Sequence, residues 1–222
     1  MGTCVILSLL PAPLVGLALF LMLRYKSRSG KFGLFYKTFL LGLAGVVPVY
    51  LVDNLIYYLH LDSLHSLHRT LFYAFVLTGG VFELCKFIVL KLTIYPSKQV
   101  TKPFDVLFYS VVIAAGFTTS YSVYALFFAP AYISLCLYAI TIAPAFVSIA
   151  MIMGYFNGIA LIRRYPIIDM FTGLFLAAIF QGIYRFCLLY SDELLLFMAT
   201  GGMLIIGITL MVLSLRDPSE SD

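Results

Sequence analysis

The chain has 222 residues, room for one modest domain, and 63% of them are hydrophobic while only 11% are charged. Soluble domains run near half apolar and a quarter charged, so 14 Lys and Arg with 10 Asp and Glu cannot cover a water-exposed surface of this size. A mean hydropathy of +1.05 excludes disorder, coiled coils and nucleic-acid modules, and predicts an all-α, polytopic membrane helix bundle whose first partner is the lipid bilayer.

Seven stretches are long and apolar enough to span the hydrocarbon: 4–23, 38–59, 70–90, 105–128, 132–161, 168–190 and 194–215. The count becomes six if the fifth is re-entrant. Loop signals separate them, among them Ser27-Arg28-Ser29-Gly30, Asp62-Ser63, Pro96-Ser97-Lys98, Pro130, Arg163-Arg164-Tyr165-Pro166 and Ser191-Asp192. The runs are too long, and too poor in alternating polarity, for barrel strands.

The distribution of basic residues predicts the orientation. Arg24, Lys26, Arg28, Lys31 and Lys37 fall in the first loop, Lys91, Lys98 and Lys102 after the third span, Arg163 and Arg164 after the fifth, and Arg216 after the seventh. Only Arg69 and Arg185 fall on the other side, so the N-terminus is expected outside and the C-terminus in the cytoplasm. These basic residues sit in short loops between apolar runs, so the net charge of +4 is not a nucleic-acid signal. The first span has no basic residue before it and several after it, which argues for a retained helix over a cleaved signal peptide. The organisation expected is one transmembrane helical bundle over 1–216 with a short acidic cytoplasmic tail over 217–222.

Cys4, Cys85, Cys136 and Cys187 show no paired spacing, so neither a disulfide framework nor a zinc knuckle is expected. His60, His65 and His68 cluster with Asp62 in an outer loop, where a solvated loop is the plainer reading than metal ligation.

A polar side chain inside hydrocarbon is costly, so each one is a candidate. Glu83 and Lys86 lie three apart on one helix face, either as a catalytic or metal-binding carboxylate or as an internal ion pair. Thr118, Thr119, Ser120 and Ser122 follow Gly116 and read as close helix packing, with a substrate path as the lesser alternative. Gln181, Tyr184 and Arg185 share a face of the sixth span, and Asp53 and Asn54 in the second are candidate partners for Arg185 or Arg69. The polar intramembrane cluster is therefore Glu83, Lys86, Asp53, Gln181 and Arg185. A nucleophile elbow, a phosphate-binding loop, His-Glu-x-x-His and a dinucleotide fingerprint are all absent from the sequence.

The order of these islands resembles the PrsW family of intramembrane metalloproteases, in the clan that includes type II CAAX prenyl proteases and the multi-pass scaffold subunit of γ-secretase. The family's Glu-Glu-x-x-Lys is met by Phe82-Glu83-Leu84-Cys85-Lys86. On the next helix Asp105, Tyr109, Gly116 and Phe117 match, whereas Val106, Ser110, Tyr121 and Ser122 stand where Gly, Gly, Glu and Asn are expected. Phe146 takes the place of a histidine eight residues before Gly154, and the family's His-Gly-x-Tyr reads Gln181-Gly182-Ile183-Tyr184. The resemblance runs from Gly79 to Arg185.

The departures fall on the chemistry that the resemblance implies. Such a protease uses Glu and His side chains to hold zinc and activate water. At the degenerate positions Phe82, Tyr121, Phe146 and Gln181, phenyl rings carry no lone pair for a metal and an amide is a poor base. Only Glu83 survives, beside Lys86. The expectation is therefore no catalytic residue, no metal and no cofactor, with zinc only if ligands lie elsewhere in the chain.

The function expected is a non-catalytic PrsW-like scaffold, or a subunit that binds transmembrane helices of a partner or substrate through small-residue faces such as Gly42 and Gly45, Gly79 and Gly80, or Gly201 and Gly202. The first alternative is an active PrsW-type protease cleaving membrane proteins, and the second a small transporter or channel. A bacterial cytoplasmic (inner) membrane is implied by the resemblance alone.

Overall fold

The computed structural model describes residues 13–18, 21, 32–58, 66–128, 135–190 and 192–215. Among them, from Phe32 to Leu215, are eight α-helices and one π-helical stretch, and no described residue is in a strand. The predicted span 4–23, the acidic tail 217–222, and His60, Asp62 and His65 lie outside the described residues, apart from 13–18 and 21, which are helical.

Helices α1 (Phe32–Ala44) and α2 (Val47–Tyr58) together make the span predicted over 38–59. The helix starts earlier than predicted and takes Lys37 out of the first loop onto its exposed face. A turn at Gly45 and Val46 interrupts it just ahead of Pro48. Proline lacks an N–H and crowds the preceding turn, so it is accommodated in the first turn of a new helix.

The third span is built from α3 (Leu67–Phe72), a π-helical stretch (Tyr73–Gly80) and α4 (Val81–Thr93). The wide turn was not foreseen in the sequence. Thr78 Oγ1 donates to the carbonyls of Tyr73 at 3.1 Å and Ala74 at 2.8 Å, and Gly79 lies so close to α7 that a Cβ there would stand 2.8 Å from the Ala178 carbonyl.

Helix α5 (Pro103–Phe128) starts on a proline, whose missing N–H would have had no helical partner anyway, and Asp105 accepts from the N–H groups of Thr101 and Lys102 at 3.3 Å. Helices α6 (Leu135–Ile159), α7 (Pro166–Tyr190) and α8 (Glu193–Leu215) complete the fold. Helix α6 is continuous over 25 residues, and its Ile140–Ile159 part is long and apolar enough to cross a membrane. Asp192 caps α8 by accepting from the Leu195 N–H at 3.0 Å. Among the described residues six helical stretches are long and apolar enough to cross a membrane: Phe32–Ile56, Leu67–Thr93, Pro103–Tyr124, Ile140–Ile159, Pro166–Tyr190 and Glu193–Leu215.

Helix α5 is the axis of the bundle. Residues 106–118 are all buried, consistent with a helix that is apolar all round. It packs on α1 and α6, and α6 in turn packs on α7 and α8. Glycines set these approaches. The missing Cβ atoms of Gly42 and Gly116 leave room for the backbone of Ile113 and Phe39 where α1 crosses α5. Gly154 and Gly158, four apart, let α6 lie on the backbone of Leu107 and Pro103 at the start of α5. Gly201 and Gly202 differ, since nothing lies within 4 Å of where a Cβ would be. Two of the predicted small-residue faces are thus turned inward at Gly42 and Gly79, while the pair on α8 faces out.

A candidate intramembrane site

Three helices bring Phe82, Tyr121 and Phe146 to one place, and Tyr184 of a fourth joins them. Phe82 comes from α4, Tyr121 from α5 and Phe146 from α6. The ring centroid of Phe82 lies 4.8 Å from Tyr121 in an edge-on arrangement and 6.2 Å from Phe146. Tyr121 and Phe146 stack at 6.2 Å. Phe117, one turn before Tyr121, completes the cluster at 5.6 Å from Phe82, and Tyr184 of α7 meets Phe146 edge-on at 6.2 Å. Phe82, Tyr121, Phe146 and Tyr184, each at least 25 residues from the next in the chain, thereby become one buried aromatic cluster.

Glu83 and Lys86 lie against it, both completely buried and joined as an ion pair. The Lys86 ammonium stands 4.7 Å from the Phe146 ring centroid and 5.4 Å from that of Phe117, a cation over the negative faces of two rings. No further hydrogen bond reaches either carboxylate oxygen or the ammonium among the described residues. A charge taken out of water costs several kcal/mol, and here the opposite charge and the aromatic faces supply the compensation. The internal ion pair is the reading that this geometry favours for Glu83 and Lys86.

Gln181 is buried one turn from Arg185 on α7, with its Oε1 unpartnered among the described residues. Tyr184 instead shares a hydrogen bond of 3.2 Å with Thr141 of α6. Arg185 is not brought to Glu83. It donates from Nη2 to the Tyr73 hydroxyl at 3.4 Å and lies over that ring. Asp53, on α2, is within electrostatic reach of Arg185 but does not close to ion-pair contact, and Asn54 is exposed. In the hydroxylic run on α5, Thr118 and Thr119 donate to the carbonyls of Ala114 and Ala115 at 2.7 Å, Ser120 Oγ lies 3.4 Å from the Tyr50 hydroxyl, and the buried Ser122 Oγ has no partner among the described residues.

Sequence reasoning missed the role of Phe117 as a wall over Lys86, the Tyr73–Arg185 contact and a polar knot at the other end of the bundle. There the Tyr95 hydroxyl donates to the Asn157 backbone carbonyl at 3.1 Å and to its Oδ1 at 3.2 Å, while Asn157 Nδ2 donates to the Met153 carbonyl at 2.8 Å. An asparagine on an apolar face was the one available signal.

The class this defines is an integral membrane helical bundle with Phe82, Tyr121 and Phe146 gathered in its core. The model of the PrsW family intramembrane metalloproteases matches residues 30–215, and the chain belongs to that family. No match is found among curated proteins or among solved structures. Membership makes this a membrane protein of the intramembrane-protease type, and its residues can be tested against the zinc that the family implies. A catalytic zinc takes three protein ligands and a water. Of Phe82, Glu83, Tyr121, Phe146 and Gln181, only Glu83 is such a ligand, and it is engaged by Lys86. No three His, Cys, Asp or Glu side chains gather to hold a metal among the described residues. The donor set at these positions does not fit a catalytic zinc site.

Proposed function

We propose that the chain is a non-catalytic member of its family that acts as a scaffold, or as a subunit binding the transmembrane helices of a partner, in a bacterial cytoplasmic membrane. The observation that carries this reading is the filling of the matched ligand positions by the Phe82–Tyr121–Phe146 cluster, with the one remaining carboxylate neutralised by Lys86. A hydrolytic centre needs a wet, preorganised space for water and a peptide carbonyl. Aromatic bulk at that level gives a packed, rigid bundle instead, which suits a protein whose outer surface does the work. The outward Gly201 and Gly202 of α8 support this assignment, because small residues let a second helix approach closely. No cofactor is needed.

The test is purification of the full chain from its native membrane in a mild detergent, with co-purifying proteins quantified. A stoichiometric membrane partner whose retention is weakened by Gly202→Leu supports the reading. Recovery of the chain alone, together with metal-dependent cleavage of a transmembrane substrate that Glu83→Gln abolishes, contradicts it.

A further inference from the structure

At the end of the bundle that holds the Tyr95–Asn157 knot, Lys91 is a cation without an anion. It lies in the last turn of α4 and is exposed. Its ammonium donates to the Met170 thioether of α7 at 3.6 Å. It stands 5.9 Å from the ring centroid of Phe87 and 5.8 Å from that of Tyr95. No carboxylate comes within ion-pair reach of it among the described residues. A thioether is a weak acceptor and an ammonium carries three donors, so most of the bonding capacity of Lys91 is left unused there.

The two acids described at this end are engaged elsewhere. Asp105 accepts from the N–H groups of Thr101 and Lys102, and Asp169 pairs with Arg163 at 3.1 Å. Lys98 and Lys102 in the loop after α4, and Arg164 in the loop before α7, are exposed. The field over this end, set by the described residues, is therefore positive and favours an anion.

Apolar surface continues from Lys91 into the span. Leu84 and Ile88 precede it by seven and three residues, so all three share one face of α4, and both are exposed. On α7, Phe171 and Phe175 are exposed one turn apart, and Phe171 follows Met170 directly. The contact between Lys91 and Met170 brings α4 and α7 together at this level, so these exposed faces adjoin.

Position selects among anions. The apolar stretch Leu67–Thr93 ends two residues beyond Lys91, and Met170 lies four residues into α7. A lysine at the end of a span extends its ammonium to the phosphate level of a bilayer. A soluble anion would meet the cation alone, whereas a phospholipid also covers the apolar side chains beside it.

We propose that an anionic phospholipid docks where α4 meets α7, with its phosphate on the Lys91 ammonium and its acyl chains along Leu84, Ile88, Phe171 and Phe175. None of these five residues belongs to the Phe82–Tyr121–Phe146 cluster, so the site stands apart from the scaffold reading.

The full chain, delipidated in dodecyl maltoside, is titrated with dioleoylphosphatidylglycerol and with dioleoylphosphatidylcholine. Binding is read by native mass spectrometry and folding by thermal unfolding. The wild type is expected to prefer the glycerol lipid by about fivefold, the worth of one lysine at a membrane surface. Lys91→Gln is expected to abolish that preference, while Lys91→Arg and Lys98→Gln keep it. Equal affinity for the two lipids, or a preference that Lys91→Gln leaves unmoved, overturns the proposal. An equal loss in Lys98→Gln also overturns it, because the attraction would then belong to the whole basic surface. Displacement of the glycerol lipid by inorganic phosphate would assign the site to a soluble anion and overturn the lipid as occupant. A phosphatidylglycerol with a photoreactive acyl chain provides a test on the wild type, should Lys91→Gln not fold. Labelling of Leu84, Ile88, Phe171 or Phe175 is expected, and labelling confined to other helices overturns the proposal.

Discussion

The Lys86 ammonium stands 4.7 Å from the centroid of the Phe146 ring, at the position where the resemblance to the family leads one to expect a histidine. A cation made by the chain itself therefore sits beside a position from which the family pattern would bind one. Glu83 neutralises it, and the two charges are buried together.

That arrangement predicts strong coupling between the pair. Lys86→Met leaves Glu83 buried without its partner and is expected to cost about 3–5 kcal/mol, the range for breaking a buried pair. The double variant Glu83→Gln with Lys86→Met is expected to recover most of that loss. Thermal unfolding in detergent of the two single variants and the double variant provides the cycle, and additive losses would contradict the pairing.

Phe146 touches Phe82, Phe117, Tyr121, Tyr184 and the Lys86 ammonium. Phe146→Ala is expected to lower stability by about 3–5 kcal/mol through lost contacts and the cavity left behind, with Phe146→Leu losing clearly less. Similar unfolding temperatures for Phe146→Ala and wild type would mean that the cluster is not packed as described.

The glycines of the bundle should separate into two classes. Gly79→Val sets a branched side chain against the Ala178 carbonyl and the Gly182 N–H, and overpacking of this kind costs about 1–3 kcal/mol. Gly202→Ala meets open space and is expected to gain about 0.5–1 kcal/mol, as for an ordinary helix interior. The same unfolding assay reads both signs.

At the other end of the bundle, Tyr95→Phe removes a hydroxyl that donates to Asn157 and is expected to cost about 1 kcal/mol. Burial pushes the Tyr95 hydroxyl up to about 12, above the ordinary tyrosine value near 10. The folded state thus holds the neutral form, so this contribution is complete below about pH 10 and is lost as pH rises from there through about 12. The difference between Tyr95→Phe and wild type is expected to stay constant from pH 6 to 9, and a change in that window would contradict the assignment.

Much of this architecture is legible in the sequence because hydrophobic length and loop chemistry act locally. The predicted spans from 105 onward agree with the helices to within a few residues, and prolines 103 and 166 mark two starts. The motif islands were also visible, since their spacing survives although their chemistry has changed. What sequence could not give depends on contacts between helices. The π-helical turn at Tyr73–Gly80 goes with the close approach of Gly79 to α7, which no local propensity encodes. Gly42 and Gly201 look alike in sequence, yet one is pressed against Ile113 and the other faces open space. Asp53 and Arg185 are candidate partners on charge alone, yet the contact the fold gives Arg185 is with the Tyr73 hydroxyl and ring. Phe117 shows the same limit, because an aromatic in an apolar helix carries no mark that it covers an ammonium.

The central claim is that the matched ligand positions hold an aromatic cluster and an internal ion pair in place of a metal centre. Zinc per chain, measured by elemental analysis on protein purified without chelators, tests it most directly. The account predicts well under one zinc per chain, unchanged by Glu83→Gln. One zinc per chain that disappears with Glu83→Gln would contradict it.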